Sequence, residues 1–353
     1  MEINGTLSET QIDVLSYVYI SLLIPSVTGS FSVLMVSIVR WRNLQEQVHL
    51  LVQLVLADLL AALILMSTSI MNLVNNVYNV IICQYGLPLS LTFYFISFLL
   101  VVVYAWKSKK VIQGWRARPA EDEVIQTRCR RQILALPTYA LYAVVWLIPI
   151  AIYLVYVRTP FISAGLLDKA SNGALGMMGD TDLKYCTSCI LFLHFWKDPC
   201  PKAEQKHDDF IRFFLVLLVI PVLLSCSVIY YNVGKWYERQ EQEVLFPVEG
   251  DGQSRRRFKR VFSTARNMVL VILICWTPAL ILILLSSLKN TQQRSLFVLY
   301  VIQAATVSLQ GFLNSMVYAW KRPNFTEAVL GENTPLVAYD RQAFFEESLR
   351  GTV

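Results

Sequence analysis

One carboxylate stands inside an apolar run: Asp58, in Leu54-Val55-Leu56-Ala57-Asp58-Leu59. Such a group is costly in a bilayer unless partners or water satisfy it, so it marks either a functional site or a hydrogen-bond hub between helices. A second polar set closes a late apolar stretch, where Gln310, Asn314 and Ser315 should face other helices. Spacing of four puts Gln310 and Asn314 on one helix face, with Tyr318 continuing it, and Gly311 between them permits close approach. A third element, Cys275-Trp276-Thr277-Pro278, lies in the apolar run Asn267–Leu285. Pro278 has no N–H to donate, and its ring presses on the carbonyl one turn earlier, at Ile274, so a kink is expected there. These residues suggest a helix that pivots, and hence conformational rather than covalent chemistry. Only His49, His194 and His207 are present, and no Ser/His/Asp set, metal-spaced histidine cluster or phosphate loop appears. The expectation is a protein that is not an enzyme.

The elements that must hold these residues follow from composition. The chain has 353 residues, 55% hydrophobic and only 16% charged, which is too apolar for an ordinary soluble globule. Seven stretches of membrane-crossing length stand out, at residues 14–39, 48–73, 87–106, 133–157, 210–233, 267–288 and 296–320. They are apolar on nearly all sides, as a bundle in lipid requires. The fold class expected is an all-α membrane protein, a seven-transmembrane-helix bundle over residues 14–320. Residues 1–13 precede it and a tail, 321–353, follows.

Positive charge sets the orientation. Lys and Arg gather after the first span (Arg40, Arg42), after the third (Lys107 to Arg131), after the fifth (Lys235 to Arg260) and at Lys321-Arg322. Residues 1–13 and 72–86 have none. The cytoplasmic side collects such charge, so the N-terminus is expected outside and the tail inside. The net charge of +6 then reflects topology and contact with the lipid bilayer, and no nucleic-acid partner is expected. Asn4-Gly5-Thr6 is a glycosylation sequon on the expected outer side, at Asn4.

Cys83, Cys186, Cys189 and Cys200 fall on that outer side, where an oxidising compartment favours disulfides and three pairings are open. A zinc site of Cys186, Cys189 and Cys200 with His194 or His207 is the alternative. The longest loop, about 158–209, is expected to have a flexible first half and a second half tied down by disulfides. The polar segment Glu238–Arg257 reads as a flexible inner loop. No internal repeat or paired intramembrane charge points to a transporter or channel.

Taken together, Leu-Ala-Asp58 in span two, Cys83 opening span three, Pro221 in span five, Cys275-Trp276-Thr277-Pro278 in span six and Asn314-Ser315-Met316-Val317-Tyr318 in span seven resemble the G-protein-coupled receptor superfamily. The resemblance covers nearly the whole chain. It implies a plasma-membrane receptor in which a ligand acts from outside and a heterotrimeric G protein binds within. It implies a disulfide from Cys83 to Cys186 or Cys189. Asp58, Ser97 and Asn314 match positions that line a sodium pocket, so a sodium ion at Asp58 is implied, with no other cofactor expected. Trp276 would be the toggle, Pro278 the pivot and Tyr318 a residue that moves inward on activation. Ser30 stands where the family usually has asparagine.

The departures are as informative. The family's Asp-Arg-Tyr should fall near Lys107-Ser108-Lys109 and is absent, which argues against standard coupling. Ser315 replaces the usual proline, so span seven is expected to be less kinked. Gln310-Gly311 followed by Asn314 looks more like the secretin and slime-mould cyclic-AMP receptor branches, which makes this a divergent member. Ser90 and Ser308 replace the amine-binding aspartate and the retinal-binding lysine, which argues against those ligand classes. Tyr94, Phe98, Trp276 and Gln303 are placed to line a mostly apolar ligand pocket, or else to pack the bundle. The ligand itself is unknown. A seven-helix scaffold that has lost G-protein coupling is the competing function.

Overall fold

Why the chain builds a bundle is visible in its helices. A computed structural model describes residues 7–39, 46–74, 79–114, 138–158, 188–193, 251–286 and 293–320, and individual residues between 212 and 235. Helix α1 spans Glu9–Val39, α2 Glu46–Leu73, α3 Asn79–Gly114, α4 Thr138–Arg158 and α5 Asp251–Ser286. A short 3-10 turn, Gln293–Leu296, leads into α6, Phe297–Ser308, and then α7, Gln310–Trp320. The described residues between 212 and 235 are helical, and no strand occurs among the described residues.

Among the described residues five helices are long and apolar enough to cross a membrane, or six if the bent pair α6–α7 is one span. The chain is therefore a multi-pass membrane protein. Large apolar side chains face outward along every helix, among them Phe31, Leu147, Val155, Ile274 and Leu284. A soluble protein would bury such residues, whereas lipid solvates them. Helix α1 starts on a reciprocal cap: the Ser8 N–H donates to Gln11 Oε1 at 3.0 Å, and the Gln11 N–H to Ser8 Oγ at 3.4 Å.

Among the described spans, α3 is the most deeply buried. It packs on α2, α4 and α5, while α1 packs on α2, α6 and α7 and so closes the bundle. The core runs along this seam through Leu54, Ala57, Ala61, Tyr94, Phe98, Trp276 and Val307. Close helix approach is set at Gly86, where an added Cβ would lie 2.6 Å from Thr68 Cγ2, and at Gly311, where it would lie 3.1 Å from Ser30 Oγ.

Two expectations need correction. Residues 251–257 are not loop but the first turns of α5, whose helix continues beyond its lipid-length portion, Arg266–Ser286. Span seven is not less kinked: its two helices meet at 41°. The cause is a side chain from α1. The Ser26 hydroxyl donates to the Ser308 carbonyl and accepts the Phe312 N–H at 3.1 Å, so it sits inside the backbone bond those two groups would otherwise make. A group inserted into the i→i−4 ladder bends a helix without any proline.

Candidate functional site

Three helices bring four polar groups to the middle of the bundle, two of them from α7. Asp58 of α2 is 1% exposed. Its Oδ1 accepts from Gln310 Nε2 at 3.1 Å and its Oδ2 from Asn314 Nδ2 at 2.7 Å, both on α7. The fourfold spacing of Gln310 and Asn314 stacks their amides on one face, and this lets one carboxylate take both. Gln310 reaches a third helix as well: its Oε1 accepts the Trp276 indole N–H of α5 at 2.5 Å. The result is a continuous line, Trp276 to Gln310 to Asp58 to Asn314. Asp58 and Arg212 are the only charged side chains that are buried among the described residues.

Trp276 is held on its faces too. Tyr94 and Phe98 of α3 meet it edge-on, with ring centroids 5.4 and 5.2 Å away and interplanar angles of 71° and 89°. Both angles are the favoured T-shaped arrangement. Two residues on, Pro278 lies inside α5, which continues as a helix to Ser286. The Cys275 carbonyl beside this point accepts the Thr306 hydroxyl of α6 at 3.0 Å. Helix α5 is thus tied to α6 and α7 by side chains just where its own backbone ladder is weakest.

Ser97 lies beside the Asp58 carboxylate. Its hydroxyl, however, makes no hydrogen bond of ordinary geometry, and Asn314 Oδ1 has no partner either. Two unpaired oxygens beside a carboxylate are the donor set a hard cation prefers. Each Asp58 oxygen keeps lone-pair capacity after accepting its amide. The residues present therefore fit a sodium ion, with Asp58, Ser97 Oγ and Asn314 Oδ1 as the groups to hold it.

Of the residues expected to line a ligand pocket, Tyr94, Phe98 and Trp276 pack on one another. Gln303 is instead engaged by α1, where its Oε1 accepts the Tyr19 hydroxyl at 3.1 Å. Its Nε2 is buried without a partner. Ser30 meets Ser315 at 3.4 Å between their hydroxyls, so both serve the α1–α7 contact rather than the Asp58 cluster. Tyr318 belongs to α7, but its side chain lies outside the described residues, as do Asn4 and Cys186.

At one end of the bundle Cys83 is bonded to Cys189, with Cα atoms 5.0 Å apart. Cys189 is thereby withdrawn from the zinc set considered above. The neighbouring residues, Ile190 to Leu193, are buried in the core. Tyr300, Gln293 and Arg212 donate to their carbonyls.

Several of these partners escape a reading of the sequence. Ser26 and Ser30 carry a faint signal, two small hydroxyls four apart in an apolar helix. Arg212 carries another, a lone base at the edge of an apolar run. Tyr19, Gln293 and Tyr300 carry none. No known protein-family model matches the chain.

Proposed function

We propose that this chain is a divergent seven-span receptor of the G-protein-coupled type, with its N-terminus outside, its tail in the cytoplasm and its site in the plasma membrane. In this reading the last two-thirds of α5 is span six, and it swings about Pro278 to carry a signal from an outer ligand to the cytoplasmic face. The observation that supports it most is the hydrogen-bonded line Trp276–Gln310–Asp58–Asn314, because it ties the pivoting helix to the polar core.

Helix α5 cannot rotate Trp276 away from α7 without giving up the bond to Gln310. A hydrogen bond inside a membrane bundle averages about 0.6 kcal/mol and reaches about 1.7, which biases a two-state equilibrium roughly threefold to twentyfold. That is strong enough to hold a resting state and weak enough for a ligand to overcome. Once released, Gln310 no longer shares its amide between Trp276 and Asp58, so the change at α5 is felt at α2 and α7. A sodium ion held by Asp58, Ser97 and Asn314 would supply a positive charge opposite the carboxylate and favour the resting arrangement. The test is a G-protein activation panel on the unliganded protein and on Asp58→Asn. A basal signal that changes with Asp58→Asn is expected; a flat response across the panel on both proteins, at high expression, defeats the receptor reading.

A second reading, a seven-helix scaffold without G-protein coupling, is favoured by Lys107. It stands next to Ser108, where the missing arginine should lie, and its ammonium is engaged by Tyr142 of α4. It donates to the Tyr142 hydroxyl at 3.0 Å and lies 4.8 Å from the ring centroid. Replacing Ser108 with arginine tests it: no gain of coupling favours the scaffold.

A further inference from the structure

Connecting segments normally run over a protein's surface, because buried backbone must find partners. Residues 189–193 do the opposite. Cys189, Ile190, Leu191, Phe192 and Leu193 are each 3% exposed or less. Their backbone is satisfied by long side chains from around the end of the bundle. Asn72 of α2 accepts the Cys189 N–H. Tyr300 of α6 donates to the Phe192 carbonyl at 3.0 Å, and Arg212 Nη2 donates to the same oxygen at 3.1 Å. Gln293 Nε2, just before α6, donates to the Leu193 carbonyl at 2.8 Å. Arg212 Nη1 also donates to Ser286 Oγ, at the last residue of α5, at 3.0 Å. The disulfide holds the segment to α3.

The segment thus joins α2, α3, α5 and α6, and two of these carry Trp276 and the residues packed beside it. Phe192 adopts φ 65°, a left-handed conformation that a phenylalanine keeps only when its surroundings impose it. What the bundle end grips is an apolar peptide presenting carbonyl acceptors to fixed donors, which is how a pocket holds a ligand.

We propose that residues 189–193 are a captive ligand, seated where a diffusible one would sit and setting the position of α5 through Arg212 and Ser286. The proposal rests on the reading that α5 moves. It also defines the chemistry of any displacing molecule: apolar, with carbonyl-type acceptors for Tyr300, Gln293 and Arg212.

The test uses the full chain with Cys129, Cys186, Cys200 and Cys226 replaced by serine. Leu191→Cys reports, by its reaction rate with a charged methanethiosulfonate, whether the segment is seated. In a separate chain, Arg266→Cys carrying a bimane label reports the far end of the apolar part of α5. Removing two anchors, Gln293→Leu with Tyr300→Phe, is expected to speed reaction at position 191 by about tenfold or more. The same change is expected to shift bimane emission at position 266. Equal reaction rates at position 191 with and without the anchors would show that they do not seat the segment, and would overturn the proposal. Faster reaction with unchanged bimane emission would make the segment a mere cap, which overturns it as well. If the double variant does not fold, Gln293→Leu alone, which removes the donor to the Leu193 carbonyl, supplies the same two readouts. Neither readout involves a G protein, so a flat activation panel beside a shifted bimane signal would count against coupling and not against the captive segment.

Discussion

Replacing Gln310 with methionine isolates the link between the pivoting helix and the polar core. Methionine keeps the length of the side chain and removes both polar atoms. Two bonds go: the Trp276 indole N–H loses its acceptor, and Asp58 Oδ1 loses a donor. At about 0.6 kcal/mol each on average, and up to about 1.7, the pair is worth about 1–3 kcal/mol. Because methionine fills the space, a cavity adds little. The assay is the unfolding free energy in mixed detergent–SDS micelles, measured as a double-mutant cycle with Trp276→Phe. The cycle cancels what phenylalanine loses against Tyr94 and Phe98 and leaves the Trp276–Gln310 term. A coupling of about 0.6–1.7 kcal/mol is expected. Thr277→Val is the control, since the Thr277 hydroxyl bonds only within its own helix, to the Leu273 carbonyl. It should not couple to Gln310. If Trp276 couples to Gln310 no better than Thr277 does, the direct bond and the transmission argument built on it are wrong.

Three further outcomes follow from the same contacts. Asp58→Asn faces at least one of the Gln310 and Asn314 amides with another N–H donor, so it should destabilise the bundle and abolish any stabilisation by sodium over choline chloride, read as the melting temperature in detergent. Gly86→Ala puts a Cβ 2.6 Å from Thr68 Cγ2; a loss of about 1–3 kcal/mol is expected, and Thr68→Ser, which removes that methyl, should recover most of it in the same unfolding assay. Cys189→Ser opens a link between residues 106 apart and should cost about 2–5 kcal/mol in the same unfolding assay.

The sequence makes part of this legible for a definite reason. A carboxylate or an amide in an apolar run has few places to go, so Asp58, Gln310 and Asn314 are drawn together by the cost of leaving any of them in lipid. Helical spacing alone puts Gln310 and Asn314 on one face. That Gln310 also takes the indole of Trp276 depends on how far α5 and α7 approach, which residue types do not encode. The pocket residues show the same limit: Tyr94, Phe98 and Trp276 converge as aromatics do, but Gln303 pairs with Tyr19, an unremarked aromatic on another helix. The bend of span seven is the clearest failure. Loss of a proline at Ser315 argues for a straighter helix, and it does so correctly for local backbone. The actual cause lies in α1, outside anything a reading of span seven alone can weigh. The burial of Ile190–Leu193 is hidden likewise, since a loop of mixed composition gives no sign of where its backbone will find partners.

The Ser26 hydroxyl seated between the Ser308 carbonyl and the Phe312 N–H has a consequence for assembly. The shape of the last membrane helix is not written in the last membrane helix. When residues 293–320 first enter a bilayer, nothing within them prevents the ladder from closing, and a peptide of that stretch in micelles should be straight by NMR dipolar couplings. The bend then depends on docking against α1, whose Ser26 supplies the inserted hydroxyl. Helices α1 and α7 thus complete each other, and Gln310 and Asn314, which follow the break, take their aim at Asp58 from that contact. A chain without α1 is expected to present Gln310 and Asn314 to Asp58 with a different aim.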